Sequence, residues 1–239
     1  MTEQRVAIIT GASGHLGRSL VAHFMASGLA VVGHGQRQQP SDWPTEAQYV
    51  SGDLRSDDDV ADLIAVARSR GSIGVVVNNA ADQDLGRPWP MTATTWLAML
   101  DASLVSAVRV SQAAAPDLIR GSAIVNVSSV EAGSAFPSHA HYAAAKAALE
   151  SYTRSLALEL APQGVRANSV APGVIDRPGM ADDWPAGWSW WSSTCPLGRP
   201  VTVEEVAGAV GFLASGDASG ITGVVLPVDG GWSASARFR

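Results

Sequence analysis

Seven short apolar runs alternate with helical segments along the 239 residues, and this alternation restricts the possible folds more than any other feature. The runs at residues 74–78 and 123–127 are almost continuously apolar, which is typical of strands buried on both faces of a parallel sheet. Consecutive parallel strands need a crossover connection, which is usually a helix. We therefore predict an α/β fold with a doubly wound parallel sheet and helices on both faces.

The hydrophobic periodicity sets the bounds of these elements. We predict strands over residues 6–10, 30–32, 49–51, 74–78, 123–127, 165–171 and 224–228. We predict helices over residues 14–27, 57–70, 94–118 and 141–160. Since no linker-like stretch separates them, we expect a single domain over residues 1–239. Residues 172–200, with five prolines and four tryptophans, are predicted to be irregular; a loop of that length is usually functional.

A glycine-rich turn, Thr10-Gly-Ala-Ser-Gly-His-Leu-Gly17, joins the first predicted strand to the first predicted helix. Glycines let the backbone approach a bound anion, and the free N–H groups and dipole of a helix N-terminus favour negative charge. A strand, such a turn and a helix in this order predict a Rossmann-type cradle for the pyrophosphate of a dinucleotide.

Tyr142 and Lys146 lie four residues apart in a predicted helix, so their side chains share one face. An ammonium near a phenol favours the phenolate and lowers the pKa of the tyrosine. A phenol normally titrates near about 10, so it needs such help to transfer protons near neutral pH. Spacing alone is more typical of a solvated pair, but the dinucleotide turn upstream leads us to predict an acid–base pair.

Together these motifs resemble those of the short-chain dehydrogenase/reductase family, and the resemblance extends over essentially the whole chain. The turn is similar to the family's Thr-Gly-x-x-x-Gly-x-Gly pattern, except that His15 stands at the second glycine. A basic residue there is similar to the arginine of the pteridine reductase branch. The resemblance implies an enzyme that transfers hydride between a nicotinamide dinucleotide and a substrate.

The resemblance also implies which residues contact the cofactor. Three segments match family motifs that contact the adenine, lie along the cofactor or adjoin the nicotinamide amide, namely Asp53-Leu54, Asn78-Asn79-Ala80-Ala81 and Pro172-Gly173-Val174-Ile175. The predicted cofactor-binding residues are Gly11, Ser13, Gly14, His15, Leu16, Gly17, His34, Arg37, Asp53, Leu54, Asn79, Ala80, Ala81, Tyr142, Lys146, Pro172, Gly173, Val174 and Ile175.

Residues after the second strand bear on the choice of dinucleotide. By family alignment, Gly35 stands where NAD-binding members carry an aspartate, and Arg37 follows two residues later. Loss of the acid removes repulsion toward a 2′-phosphate, and arginine supplies a permanent charge with planar donors. His15 and His34 are expected to assist, partly charged at neutral pH. We therefore predict NADPH in preference to NADH.

By resemblance, Ser129 hydrogen-bonds the substrate oxygen and Tyr142 supplies the proton in reduction. Lys146 holds the ribose and tunes Tyr142. Ser103 stands where the family carries an asparagine that supports a water relay to the lysine, and it is predicted to hold that water. Pteridine reductases carry an aspartate at the serine position, so Ser129 favours a carbonyl or alcohol over a C=N substrate.

The family's active site is capped by the segment that corresponds to residues 173–200, where four tryptophans crowd together. We predict that Trp184, Trp188 and Trp191 contact an apolar or planar substrate. Packing of these rings on the domain itself or on a neighbouring subunit is the alternative. Arg177 either reaches an anionic group of a ligand or faces solvent.

Composition bears on partners and location. A net charge of −6 gives no basic footprint for nucleic acid, and no stretch reaches the roughly 20 apolar residues of a membrane span. One cysteine and no histidine–carboxylate spacing of the metal-binding type argue against a metal. We expect a cytoplasmic protein with a small-molecule substrate. Because the family commonly associates through its two long helices, we also expect a homo-oligomer, either a tetramer or a dimer.

Three functions stay open at this point. The first is an NADPH-dependent reductase of a ketone, which would oxidise the alcohol in reverse. The second is a pteridine or imine reductase, motivated by His15. The third is a cofactor-binding protein whose redox chemistry has decayed, motivated by Ala81, Ser103 and Arg177.

Overall fold

A seven-stranded parallel sheet forms the centre of the computed structural model, which describes residues 4–82 and 89–235. In chain order the strands are β1 Arg5–Ile9, β2 Ala30–Gly35, β3 Gln48–Ser51, β4 Ser72–Asn78, β5 Ala123–Val127, β6 Arg166–Pro172 and β7 Val225–Val228. They lie side by side in the order β3-β2-β1-β4-β5-β6-β7, and every neighbouring pair is parallel. The order changes direction between β1 and β4, so the ligand crevice of such a fold is expected at the carboxyl ends of these strands.

Helices cover both faces of this sheet. They are α1 His15–Ala26, α2 Asp57–Arg70, α3 Ala93–Leu100, α4 Ser106–Ala114, α5 Ala140–Leu160, α6 Met180–Asp183, α7 Pro185–Thr194 and α8 Val203–Ala214. A π-helical turn, Asp101–Val105, joins α3 to α4. The predicted fold class, a doubly wound α/β sheet, is confirmed.

Each face of the sheet has its own apolar core. Ala7 and Ile9 of β1 point to the face covered by α1 and α8, whereas Val6 and Ile8 point to the face covered by α2, α4 and the end of α5. Successive side chains of a strand point to opposite faces, so both sets must be apolar when both faces are covered. Polar groups can therefore meet a ligand only where the strands end.

The helical content differs from the prediction in three places. The helix predicted over residues 94–118 is divided by the π-helical turn into α3 and α4, and α4 ends at Ala114. Residues 172–200 are not wholly irregular, because they contain α6 and α7. Pro185 is the first residue of α7, where the missing N–H of proline costs no hydrogen bond. The α8 helix was not predicted, although Thr202 and Glu205 form a capping box directly before its apolar residues.

Candidate active site

A cleft of about 1110 Å³ runs along the carboxyl ends of the central strands. The turn after β1 lies along one part of it, and residues from α5 and the cap segment, which we define as residues 173–200, lie along another. Every residue predicted to contact the cofactor lines this cleft. The cleft therefore contains all the surfaces that the sequence motifs predict for one ligand.

The glycine turn fits an anion through its backbone. Gly11 has a φ of +63°, and a Cβ at this residue would lie 2.9 Å from the Cα of Ala80. A Cβ at Gly17 would overlap the carbonyl oxygen of Gly11. Gly14 is the N-cap of α1 and makes no side-chain capping hydrogen bond, so no side chain occupies the N–H groups at the start of the helix. This arrangement suits a pyrophosphate.

Asn79 fixes the turn against the end of β4. Its Nδ2 donates hydrogen bonds to the carbonyl oxygens of Thr10 and Gly11, at 3.0 and 3.1 Å. The backbone N–H groups of Asn79 and Ala80 both donate to Oγ1 of Thr10, at 3.0 Å. These four bonds hold the floor of the cleft in place without a ligand.

Tyr49 fills the space in which a side chain at residue 35 would lie. A Cβ added at Gly35 would overlap the Tyr49 hydroxyl, which donates a hydrogen bond to the carbonyl oxygen of Arg37 at 3.1 Å. The structure therefore leaves no room for the aspartate that NAD-binding members carry at this position.

Arg37 lies on the cleft at the end of β2. Within residues 4–82 and 89–235, its guanidinium makes no hydrogen bond or ion pair. Arg18, in contrast, holds both oxygens of Asp42 at 2.8 and 2.9 Å. The first acid after β2 is thus already paired, and Arg37 keeps its donors for a ligand.

The two histidines near this end of the cleft have other partners. His34 is buried, and burial lowers its pKa, so its ring is neutral. Its Nε2 donates to the carbonyl oxygen of Gly52 at 3.1 Å, which leaves Nδ1 without a proton to give to a phosphate. Nε2 of His15 lies 3.0 Å from the carbonyl oxygen of Asp176, so this side chain connects the turn to the cap segment. The expected help of His34 toward a 2′-phosphate is therefore not supported by its contacts.

Asp53, the predicted adenine contact, also has a partner. Both of its carboxylate oxygens accept hydrogen bonds from Arg55, at 2.6 to 2.9 Å, and this contact holds the pKa of Asp53 below its usual value. The backbone N–H of Asp53 donates to Asp59 at 2.6 Å. The residue lines the cleft with its position fixed on both sides.

The end of β5 and the first turns of α5 bring Ser129, Tyr142 and Lys146 together. Lys146 is 2% exposed, and its Nζ donates to the carbonyl oxygen of Val127 at 2.8 Å. The same Nζ lies 5.6 Å from the centre of the Tyr142 ring. The Ser129 hydroxyl lies near the phenol of Tyr142 and favours a lower pKa for it. A hydroxyl, a phenol and an ammonium thus share one end of the cleft.

Burial dominates the ionisation of this group. It lowers the pKa of Lys146 to about 8. Burial, followed by the charge of Glu131, raises the pKa of Tyr142 to about 12, and the hydrogen bond from Ser129 only partly opposes this. The net pKa of Tyr142 is therefore raised, and not lowered as the sequence predicted. At neutral pH the phenol carries its proton and can donate it.

Glu131 was missed by the sequence reasoning. It lines the cleft two residues after Ser129, and Nδ1 of His139 lies 3.2 and 3.0 Å from its two carboxylate oxygens. Burial raises the pKa of Glu131, and His139 opposes that shift. The available signal was a charged residue just beyond a buried strand, at the edge where open α/β sheets place ligands.

Ser103, the predicted relay residue, does not line the cleft. It is 1% exposed in the π-helical turn, and its hydroxyl donates to the sulfur of Met99 at 3.4 Å. Ala102 and Ser106 of the same segment line the cleft instead. A π-turn inserts one residue into the helix and so changes which side chains face a neighbouring surface. The spacing of a regular helix could not reveal this rotation.

Of the tryptophans predicted to meet the substrate, Trp184 and Trp191 line the cleft and Trp188 does not. Trp190 lines it instead. At roughly 100° per residue, position 188 lies about a third of a turn away from the side of α7 that carries 190 and 191. The prediction of Trp188 failed because the segment was expected to be a loop without helical periodicity.

An aromatic group forms the inner side of the cap segment. Trp191 stacks on Trp232 with ring centres 5.2 Å apart. Phe136 also stacks on Trp232, with ring centres 5.5 Å apart. Trp190 meets Phe136 edge-on at 6.2 Å. Trp191 therefore packs on the domain itself, whereas Trp184 and Trp190 stay 44% and 43% exposed. Arg177 lines the cleft and pairs with Asp183 at 2.6 Å.

Two features are absent from residues 4–82 and 89–235. No helix within them is long and apolar enough to cross a membrane. They also contain no group of three or more His, Cys, Asp or Glu side chains arranged to hold a metal ion.

Comparison with known proteins gives a family for this geometry. A family model described as enoyl-(acyl carrier protein) reductase matches residues 11–233. An uncharacterized short-chain type dehydrogenase/reductase of Sinorhizobium fredii is 39% identical in an alignment that covers 95% of this chain but only 43% of that protein. This chain thus spans less than half the length of that relative.

Other relatives match over nearly their full length. Meso-2,3-butanediol dehydrogenase of Serratia marcescens is 34% identical, with 98% of this chain and 96% of the relative covered. A 3-oxoacyl-[acyl-carrier-protein] reductase of Pseudomonas aeruginosa is 33% identical, with 95% and 96% covered. The ligand-free structure of aldohexose dehydrogenase from Thermoplasma acidophilum superposes with a TM-score of 0.90 at 33% identity, over 99% and 96% of the two chains. The chain belongs to the short-chain dehydrogenase/reductase family of NAD(P)-dependent oxidoreductases.

Proposed function

We propose that this protein is an NADPH-dependent reductase of a ketone, or in reverse a dehydrogenase of the alcohol, with Tyr142 as the general acid. One observation carries the proposal. Ser129, Tyr142 and Lys146 meet in the same cleft that holds the glycine turn. A proton donor and a dinucleotide cradle in one cleft are the two parts that hydride reduction of a carbonyl requires.

The residues along the cleft fit a dinucleotide. The glycine turn and the N-terminus of α1 would hold the pyrophosphate, and the backbone of residues 172–175 would hold the nicotinamide amide. Arg37 would bind the 2′-phosphate with its guanidinium, which has no partner among the described residues. When bound, the nicotinamide supplies a hydride to the carbonyl carbon of the substrate.

The protein's own side chains manage the proton. Tyr142 and Ser129 donate hydrogen bonds to the carbonyl oxygen, which polarises the C=O bond. As the carbonyl becomes an alcohol, the Tyr142 proton moves to that oxygen and leaves a phenolate. The Lys146 ammonium, held by the Val127 carbonyl, stabilises this phenolate until solvent returns a proton.

The relatives support a carbonyl–alcohol pair. The names of the Pseudomonas and Serratia relatives describe a 3-oxoacyl reductase and a butanediol dehydrogenase. His15, which motivated an imine reductase, contacts the carbonyl oxygen of Asp176.

We further propose that the protein is a homo-oligomer and that it is cytoplasmic. The homo-oligomer is supported by apolar side chains that stay exposed on two helices, such as Leu97 of α3 and Leu158 of α5.

Tyr142→Phe is expected to lower kcat by about 10²–10⁴-fold, because it removes the proton donor and keeps the apolar ring. The Kd for NADPH should stay within about threefold of wild type. Steady-state kinetics and fluorescence titration measure the two quantities. Tyr152→Phe on the same helix, away from the cleft, is the matched control and should keep full activity. If Tyr142→Phe kept more than half of the wild-type kcat, the assignment would be wrong.

The pKa of about 8 for Lys146 predicts a pH dependence. Below this pH the ammonium is charged and stabilises the phenolate, and as the pH rises through about 8 the charge is lost. We expect kcat/KM for ketone reduction to fall on the alkaline side of about pH 8. Lys146→Arg keeps the charge, so its profile, although lower, should lack this fall. The same alkaline fall in both proteins would exclude Lys146 as its source.

Ser103→Ala is expected to keep kcat/KM within about twofold of wild type, because its hydroxyl faces Met99 and not the cleft. Ser129→Ala, which removes a hydroxyl that touches Tyr142, is the contrasting variant and should lose at least about tenfold. A large loss of kcat/KM in Ser103→Ala, with the melting temperature unchanged, would instead support a role of this serine in a proton relay.

Arg37 is expected to give NADPH at least tenfold higher kcat/KM than NADH, which is about 1.4 kcal/mol. Arg37→Ala should reduce the ratio of kcat/KM with NADPH to kcat/KM with NADH at least fivefold, because KM for NADPH rises. Arg68→Ala, which removes the same charge beside Asp117 and far from the cleft, should leave the ratio unchanged. Equal efficiency with both cofactors in the wild type, or an unaltered ratio in Arg37→Ala, contradicts the role of Arg37.

A further inference from the structure

Glu131 is an anionic side chain at the catalytic end of the cleft, and the proton transfer described above does not use it. Its side chain is 15% exposed and lines the cleft. Taking a carboxylate out of water costs free energy unless hydrogen bonds compensate. Such a position therefore calls for donors that satisfy the carboxylate.

The described residues supply only one such donor. Nδ1 of His139 lies 3.0 Å from Oε2 and 3.2 Å from Oε1 of Glu131. An ionised carboxylate can accept about four hydrogen bonds, so most of its acceptor capacity is unused. Because the residue lines the cleft, a ligand in the cleft can supply the missing donors.

The location of Glu131 sets how far this ligand group lies from the reacting carbonyl. The backbone N–H of Glu131 donates to Oγ of Ser129 at 3.2 Å, so a single short turn separates the two side chains. The Glu131 charge also reaches Tyr142, whose pKa it raises. A group bound by Glu131 must therefore sit close to the oxygen that Ser129 and Tyr142 hold.

We propose that Glu131, oriented by His139, binds a hydrogen-bond donor on the carbon next to the carbonyl. The substrates would then be α-hydroxy or α-amino ketones, and in reverse vicinal diols or amino alcohols. This inference rests on the proposed reductase function and gives its substrate class. A carboxylate accepts and cannot donate, so anionic neighbours such as the carboxylate of an α-keto acid are excluded by repulsion.

Aromatic side chains complete the subsite. Phe136 lies beside His139, with ring centres 6.4 Å apart, and Trp190 adds a ring that is 43% exposed. Both line the cleft. Aromatic side chains of this kind suit an aryl or apolar group of the ketone, and the ring of Trp190 can also attract an ammonium. Aryl ketones with an α-hydroxyl or α-amino group therefore match the subsite on both sides.

Three ketones of one skeleton test the proposal, namely acetophenone, α-hydroxyacetophenone and α-aminoacetophenone, whose substituents are on the carbon next to the carbonyl. The readout is the ratio of kcat/KM for each substituted ketone to that for acetophenone, in the wild type and in Glu131→Gln. Removing the Glu131 charge also lowers the pKa of Tyr142, but this affects all three ketones and cancels in the ratio. We expect Glu131→Gln to lower the ratio at least fivefold for at least one substituted ketone.

The two substituents distinguish the donor. Glutamine keeps an amide oxygen that can accept from a hydroxyl, but it has no charge for an ammonium, so a larger loss for the amino ketone identifies an amine substrate. If Glu131→Gln fails to fold, His139→Gln serves as the second variant. It keeps a donor beside Glu131, so it should retain most of the preference for the substituted ketones over acetophenone. Melting temperatures establish that each variant is folded.

The outcomes separate this proposal from the reductase function. Reduction of acetophenone with unchanged ratios in Glu131→Gln, or with no wild-type preference for either substituted ketone, overturns the subsite and leaves the reductase in place. If a broad panel of plain and substituted ketones, including these three, gives no NADPH oxidation, the reductase function fails and the subsite fails with it.

Discussion

Because helices cover both faces of the parallel sheet, its strands can present polar groups to a ligand only where they end. The sheet's single direction places the ends of β1, β2, β4, β5 and β6 along one edge. The glycine turn, Arg37, Asn79, Ser129 and residues 172–175 all follow directly from those ends. The cleft is therefore a consequence of how the core is buried.

A buried polar network sets the position of α5 on this sheet. Asn126 of β5 accepts a hydrogen bond from Asn78 of β4 and donates one to Thr153 of α5, both at 2.8 Å. Thr153 continues the chain to Ser169 of β6 at 2.8 Å. Such a network is stabilising only when its members are in register. It fixes the helix that carries the phenol and the ammonium, and Lys146 adds a further bond to β5.

The sequence predicted those parts of the fold and site whose signal is local. The Asp57–Arg70 helix and the Ala123–Val127 strand have the predicted bounds, since a serine cap and terminal charges delimit the first and a fully apolar run the second. The prediction that Ser129, Tyr142 and Lys146 share one site rested on helix spacing, the dinucleotide turn upstream and the resemblance to the family. Local patterns could not give the burial that raises the pKa of Tyr142, nor the π-turn that moves Ser103 from the cleft.

The packing around Gly35 also limits how this protein can change during evolution. Tyr49 occupies the volume of any side chain at residue 35, and its ring meets Trp43 edge-on at 4.8 Å. Trp43 in turn covers Gly33, where a Cβ would overlap its ring. An acid at residue 35 is thus compatible with the fold only after Tyr49 has become smaller. The two positions are epistatic, and a mutational path that introduces an acid at residue 35 must take these steps in that order.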